Sequence, residues 1–275
     1  MYSANNGLVG LKIEAEDGPI GKVSDVYFDD HRWTIRYLVV DTGTWSTARS
    51  ALLSPYSFGK PDLKAKSLPV HLTRRQIREA PTQESDQPLS AQYERALMDY
   101  YGYPYYWVGP YVWGGFLYPA PPSPNRVDGT SPDMLDKMAD DADLEGEGNA
   151  HLRSVQEVKG YHVHALDGHI GHIEDFLIDE KDWSIRFLGL STANWMPGRK
   201  VVLPPKLLRD ISWLDRSVSV KRTQAEIKNA PGYEDDSFMI PGFADAVDRF
   251  YGPVNPKSEA DGGRWDAWPE PRSGF

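Results

Sequence analysis

The segment DGPIGKVSDVYFDDHRWTIRYL, from Asp17 to Leu38, decides the fold because it occurs twice in the chain. Its second copy, DGHIGHIEDFLIDEKDWSIRFL, runs from Asp167 to Leu188, and the same offset of 150 aligns residues 10–81 with residues 160–231. Those 72 positions contain 23 identities without a gap, whereas unrelated chains of ordinary composition share roughly one position in sixteen. A period this long indicates a duplicated module rather than a stack of short repeats.

Each module is predicted to be mainly β. In the first copy, β-favouring runs separated by turn residues lie at 8–15, 20–28, 33–41, 51–54 and 67–72. Thr73 and Gln76 then form a capping-box sequence, which predicts a short helix ended by Pro81. A second helix is predicted at 91–100, with its counterpart at 243–250. Strands at this spacing are typical of a small barrel or sandwich.

A set of residues shared by both copies resembles the PRC-barrel family, which includes the cytoplasmic domain of the photosynthetic reaction-centre H subunit and the C-terminal domain of a ribosome maturation factor. The residues that carry the resemblance recur 150 positions later: Gly10, Asp17, Gly18, Gly21, Asp25, Asp29, Trp33, Pro55, Ala80 and Pro81. It implies two small PRC-like β-barrels in tandem, each followed by short helices and related by pseudo-symmetry. Such domains bind other proteins, and no catalytic residue set comes with them. The transmembrane helix of the H subunit and the extra barrel of the maturation factor are not seen, so we expect neither role to transfer.

Composition divides the chain further. Residues 128–147 hold eight acids and one base and contribute −7 of the net charge of −10. They follow the proline-rich stretch APPSPN at 120–125, and such a composition predicts an exposed linker. The predicted divisions are a first barrel at 1–84, a helix with an aromatic-rich segment at 85–118, a linker at 119–150, a second barrel at 151–233, and a helix with a tail at 234–275.

Several classes of function are not expected. The acidic net charge argues against a nucleic-acid partner, and the lack of cysteine excludes disulfides and thiolate chemistry. No nucleotide, serine-hydrolase or zinc-protease motif occurs, so we expect no enzyme activity and no cofactor. The repeated acids Asp25 and Asp29, with Arg36, are interpreted as fold chemistry, namely turns or an ion pair between strands. The first ten residues lack a signal-peptide pattern, which predicts a cytoplasmic protein.

An aromatic segment at 100–118 is the candidate interaction surface. It holds ten of the 33 aromatic residues and no charge, and its glycines and prolines argue against a membrane-spanning helix. It either packs across a barrel or forms an exposed site for a partner or a membrane surface, because Tyr and Trp concentrate at interfaces. The interface candidates are Tyr101, Tyr103, Tyr105, Tyr106, Trp107, Tyr111, Trp113 and Phe116.

Five of the seven histidines lie in the second copy. His162 and His164 share one strand face, and His169 follows across a turn, so the three are candidate ligands for Zn²⁺ or Ni²⁺. Their counterparts in the first copy are Lys12, Glu14 and Pro19, which favours a solvated face over a metal site.

The sequence therefore predicts a non-catalytic interaction or assembly module with a protein partner of unknown identity. We expect a monomeric pseudo-dimer or a homo-oligomer. Two alternatives remain. One is a peripheral component of a membrane complex, similar to the reaction-centre H subunit, and the other is a metal-binding protein that uses the histidines of the second copy.

Overall fold

The computed structural model describes residues 1–43, 50–82, 89–119, 151–192, 199–233 and 237–252. Its strands are β1 (Tyr2–Ser3), β2 (Lys12–Ala15), β3 (Gly18–Asp29), β4 (Thr34–Asp41), β5 (Ser50–Leu53), β6 (Ser67–Pro69), β7 (Leu152–Ser154), β8 (His162–Ala165), β9 (Gly168–Ile178), β10 (Ile185–Ser191), β11 (Lys200–Leu203), β12 (Leu208–Ser212) and β13 (Ser217–Val220). Its α-helices are α1 (Arg74–Glu79), α2 (Ala91–Tyr101), α3 (Val155–Val158), α4 (Gln224–Lys228) and α5 (Phe243–Tyr251). The prediction of a mainly β chain with few helices is confirmed.

The chain divides into two compact units. The N-terminal unit comprises Tyr2–Gln156 together with Ile178–Ser184, and the C-terminal unit comprises Met1, Glu157–Leu177 and Ile185–Phe275. Most of the predicted linker, residues 120–150, lies outside the described residues, as does the end of the tail at 253–275. The surface position of the linker therefore stays a prediction.

The sheet of the N-terminal unit follows the strand order β5-β4-β3-β2-β6, and β7 pairs with β3 beside this path. Strand β3 is the longest and is antiparallel to β2, β4 and β7, whereas β2 and β6 run parallel. Strand β4 is buried along its whole length except for Asp41, because both of its faces carry large apolar residues such as Ile35, Leu38 and Val40. The core of this unit lies around β4.

The sheet of the C-terminal unit follows the order β11-β10-β9-β8-β13-β12, with β8 and β13 parallel. Neither path closes on itself among the described residues, because β5 is not bonded to β6 and β11 is not bonded to β12. The expectation of two closed barrels is therefore not confirmed. A physical reason is that the end strands have only three to five residues, which leaves few backbone groups for a closing ladder.

Local features recur at the offset of 150. Trp33 and Trp183 both adopt a left-handed backbone conformation, with φ of 49° and 61°, although residues other than glycine rarely adopt it. Thr73 and Thr223 both form complete capping boxes at the start of α1 and α4. These are the helix starts that the sequence predicts.

One pair of glycines, Gly21 on β3 and Gly171 on β9, lies where the neighbouring strand of the sheet approaches closely. A Cβ added to Gly21 would overlap the carbonyl oxygen of Asp41, and one added to Gly171 would overlap that of Ser191. Only glycine allows the neighbouring backbone to approach so closely. The close approach of the neighbouring strand therefore requires a glycine at this position in each copy.

Candidate functional site

The aromatic segment begins where α2 ends. Gly102 caps the helix in the left-handed conformation, with φ of 68°. The chain then folds back on itself, because a Cβ on Gly109 would lie 2.6 Å from Gly114 and one on Gly114 would lie 2.6 Å from the carbonyl of Tyr105. The segment is thus a compact irregular loop in the N-terminal unit, which agrees with the prediction that it forms no long helix.

Three of the eight interface candidates are buried within this unit: Tyr103, Tyr106 and Trp113. The indole of Trp113 is fully buried, and its ring meets the ring of Tyr56 edge-on, with centroids 5.1 Å apart. Its Nε1–H donates a 2.7 Å hydrogen bond to the carbonyl oxygen of Asp182. The apolar part of the indole is therefore buried against another aromatic ring, and its N–H group has a hydrogen-bond acceptor.

A carboxylate holds the loop to the sheet from α2. Glu94 is buried, and its Oε1 accepts hydrogen bonds from the hydroxyls of Tyr37 and Tyr106. Burial, together with the charge of Glu94, raises the pKa of both phenols well above the usual value. Both tyrosines are therefore neutral donors over the whole physiological range.

A buried cation completes the same cluster. The Arg36 guanidinium donates to Oδ2 of Asp29 at 2.8 Å and to the carbonyl oxygen of Val112 at 2.7 Å, and it lies 3.9 Å from the centroid of the Tyr106 ring. Burial opposes ionisation of Asp29, but the charge and hydrogen bonds of Arg36 outweigh it and lower the pKa of Asp29. Arg36 holds the loop through a hydrogen bond to the carbonyl of Val112 and a cation–π contact with Tyr106. Its ion pair with Asp29 ties the guanidinium to β3.

The other five candidates keep some access to solvent. Tyr101, Tyr105, Trp107 and Phe116 are partly buried, and Tyr111 is 41% exposed. Tyr105 and Trp107 stack on each other, with centroids 5.0 Å apart. Their role as an interface stays a prediction, since the structure shows their positions but no partner.

The largest exposed apolar side chains of the loop come after the predicted residues. Leu117 is 49% exposed and Tyr118 is 52% exposed, and Pro119 directly follows them. Sequence reasoning missed Leu117 and Tyr118 as candidates, because an aromatic count over 19 residues gives no information about which side chains the fold buries.

Pro119 also lines a cleft of about 330 Å³ in the N-terminal unit. The aromatic lining is formed by Tyr2, Phe58 and Trp183, and the ring centroid of Trp183 lies 5.8 Å from that of Tyr2 and 5.0 Å from that of Phe58. The three aromatics come from distant parts of the sequence, which explains why no motif predicts the cleft. Its volume is at the lower end for ligand pockets and suits a single apolar side chain.

The charged groups of the cleft are Lys60, Lys181 and Glu180. Burial, and then the charge and hydrogen bond of Glu180, raise the pKa of Tyr2 to about 12. A hydrogen bond from the neutral Tyr2 hydroxyl does not cancel the charge of Glu180, but two exposed lysines against one carboxylate give the rim a net positive charge. The cleft combines an aromatic floor with a positively charged rim.

The histidines of the second copy lie together in the C-terminal unit. His162 pairs with His172 across the β8–β9 hairpin, and His164 pairs with His169. The ring of His169 lies 5.4 Å from that of His162 and 5.2 Å from that of His164, and burial together with these neighbours lowers its pKa. Among the described residues, however, these rings do not form a set of three ligands within 4.8 Å of one another. Metal binding by His162, His164 and His169 stays a prediction.

No family model matches the chain, and no curated protein matches it. The resemblance to PRC-barrel domains therefore stays a prediction from the residues quoted above. Among the residues that the structure describes, no helix is both long enough and apolar enough to cross a membrane.

Proposed function

We propose that the chain is a non-catalytic protein-interaction or assembly module, built from a duplicated domain that resembles the PRC-barrel family. The observation that carries the proposal is the aromatic cleft. Pro119, which lines the cleft, directly follows the exposed side chains of Leu117 and Tyr118 in the sequence. The buried half of the aromatic segment serves as the anchor of this surface, and the exposed half supplies the contact area.

The surface has the composition of an interface core. Aromatic residues in a pocket, next to exposed apolar groups and surrounded by polar ones, are typical of the residues that contribute most to protein binding. The lysines at the cleft favour a partner that inserts one apolar side chain and carries an acidic group beside it.

The proposed tandem arrangement rests on the recurrence of local structure. The open strand order, the parallel pair that joins β2 to β6 and β8 to β13, and the capping boxes all occur in both copies. We propose that the two sheets are open variants of the PRC-like barrel, related by pseudo-symmetry. Superposition of the two copies in a crystal structure, with Trp33 on Trp183 and Pro55 on Pro205, tests this part.

The experiment for function is affinity capture with the full chain and a variant that carries Leu117→Ser and Tyr118→Ser. Both side chains are exposed, so the variant keeps its melting temperature while losing the partner that the wild type captures. Leu214→Ser is the matched control, since Leu214 is 94% exposed and lies in the C-terminal unit. Unchanged capture by the double variant contradicts the proposal. Capture of anionic vesicles in place of a protein supports the membrane-complex alternative.

A further inference from the structure

Three side chains with metal-ligating atoms meet at one end of β3 in the N-terminal unit: Asp30, His31 and His151. One ligand atom from each lies within 4.8 Å of the other two. The register of β7 on β3 brings them together, because Asp29 pairs with Leu152 and the amide of Asp30 donates a 2.8 Å hydrogen bond to the carbonyl oxygen of His151. The set is therefore fixed by backbone pairing between residues far apart in the sequence.

Asp30 has an unfilled acceptor. Its side chain is 8% exposed, and its Oδ2 accepts a 3.0 Å hydrogen bond from Nε of Arg153. Its Oδ1 is buried and accepts no hydrogen bond from any residue that the structure describes. Nδ1 of His151 lies 3.3 Å from this oxygen, close enough for an ion pair when the imidazole is protonated, but it does not donate a hydrogen bond to it. A buried carboxylate oxygen without a donor is costly, and a cation bound to it removes that cost.

The two imidazoles are placed to complete a ligand set. The rings of His31 and His151 lie with centroids 3.4 Å apart, and both residues are exposed. Exposed side chains can turn toward a common ion, whereas Arg153 holds the carboxylate of Asp30 in place. An outer hydrogen bond that orients a ligating carboxylate, as Arg153 does for Asp30, is usual in metal sites.

We propose that Asp30, His31 and His151 bind a divalent transition metal ion, with Zn²⁺ as the best match to two imidazole nitrogens and one carboxylate oxygen. Zinc binds nitrogen and oxygen at roughly 2.0–2.2 Å in a tetrahedron, so ligand atoms in an occupied site lie about 3.4 Å apart. The present separations of up to 4.8 Å thus require only a small closure of the two exposed rings. Three protein ligands leave the fourth position for water.

The expected consequence of binding is a tie between β3 and β7. Since the folded unit presents the three ligands together and the unfolded chain does not, the ion stabilises the fold, and the stabilisation grows with the logarithm of the ion concentration above the Kd. The site is distinct from the histidine hairpin of the C-terminal unit, because no residue is shared between them.

The test is titration of the chelator-treated full chain with Zn²⁺, by calorimetry and by thermal melting. We expect one ion per chain at this site, a raised melting temperature, and an affinity reduced by more than about 10-fold in His31→Gln and in His151→Gln. Because the His31 side chain is exposed, its variant keeps the fold, which circular dichroism checks. His71→Gln is the matched control at an exposed histidine of the same unit, and its affinity is expected to be unchanged.

Three results would overturn the proposal. The first is the absence of Zn²⁺ binding by the wild-type chain, and the second is unchanged binding by both the His31 and the His151 variants. The third is loss of all binding in a His162→Gln, His164→Gln double variant, which would assign the ion to the hairpin histidines instead. Substitution with Co²⁺ gives an independent readout, since tetrahedral coordination produces a visible absorption band that the His31 variant is expected to lose.

Discussion

Tyr37 and Tyr106 donate hydrogen bonds to the same atom, Oε1 of Glu94, at 2.8 Å and 2.6 Å. Tyr37 lies on strand β4, Tyr106 lies in the aromatic loop, and Glu94 lies on α2. A single buried oxygen therefore joins three elements of the N-terminal unit. The loop that supports the proposed interaction surface depends on this junction for its position.

Tyr106→Phe is expected to lower the free energy of unfolding by about 1.5–3 kcal/mol, the usual contribution of a hydrogen bond to a charged group. The variant keeps the ring over Arg36 and removes only the hydroxyl. Tyr118→Phe is the control, because that side chain is half exposed and is expected to change stability by less than about 0.5 kcal/mol. Urea unfolding monitored by tryptophan fluorescence measures both, and equal effects would contradict the role given to Glu94.

Arg36→Met is expected to lower the free energy of unfolding by about 3–5 kcal/mol, since it leaves the buried carboxylate of Asp29 without its cationic partner. The equivalent Arg186 pairs instead with Asp248 on α5, and both side chains of that pair are partly exposed. Arg186→Met is therefore expected to cost less than about 1 kcal/mol of ion-pair energy. Thermal melting of the two variants compares them, and a larger loss for Arg186→Met would be inconsistent with the burial seen here.

Gly21→Ala is expected to destabilise the N-terminal unit by about 1–3 kcal/mol or more, because the added methyl group meets the carbonyl of Asp41. Gly115→Ala is the control, since a Cβ at that position meets nothing within 4 Å and its φ is not in the left-handed region. Denaturant midpoints of the two alanine variants give the comparison. A stable Gly21→Ala chain would show that β3 and β4 can separate at little cost.

Stability is expected to fall in alkaline solution. Burial, with Glu180 contributing for Tyr2, raises the pKa of Tyr2 and of Tyr103 to about 12, whereas an unfolded tyrosine ionises at about 10. The unfolded chain then releases protons first, so the stabilisation is complete below about pH 10 and is lost as the pH rises toward 12. We expect the free energy of unfolding to decline in that window by up to about 1.4 kcal/mol per pH unit for each of the two tyrosines, less the part screened by solvent, as measured by urea unfolding. A flat profile, or one unchanged in a Tyr2→Phe, Tyr103→Phe variant, would refute this assignment.

The local structure was predictable because its signals are local. Asp17 and Gly18 predict a turn, Thr73 predicts a helix start and Gly102 predicts a helix end, and the structure has all three. Each depends on residues within a few positions, where backbone preference and side-chain capping decide the conformation.

The arrangement of the site was not predictable in the same way. The burial of Trp113 depends on Tyr56 and on the carbonyl of Asp182, and neither is near it in the sequence. The closeness of His31 and His151 depends on the β7–β3 register, which a hydrophobic pattern does not determine for a three-residue strand. The interface candidates could therefore be chosen by residue type, but their exposure could not.

The membership of Ile178–Ser184 in the N-terminal unit sets the order in which a nascent chain can fold. While the ribosome has released only the first copy, the indole of Trp113 has no Asp182 carbonyl to bind, and Tyr2 has no Trp183 ring to pack against. The N-terminal unit is completed only after part of the second copy has been synthesised, although domains generally fold from the N-terminus onward. A gene cut between the two copies would thus encode a first half that lacks residues 178–184, and that half could not form the hydrogen bond from Trp113 to Asp182.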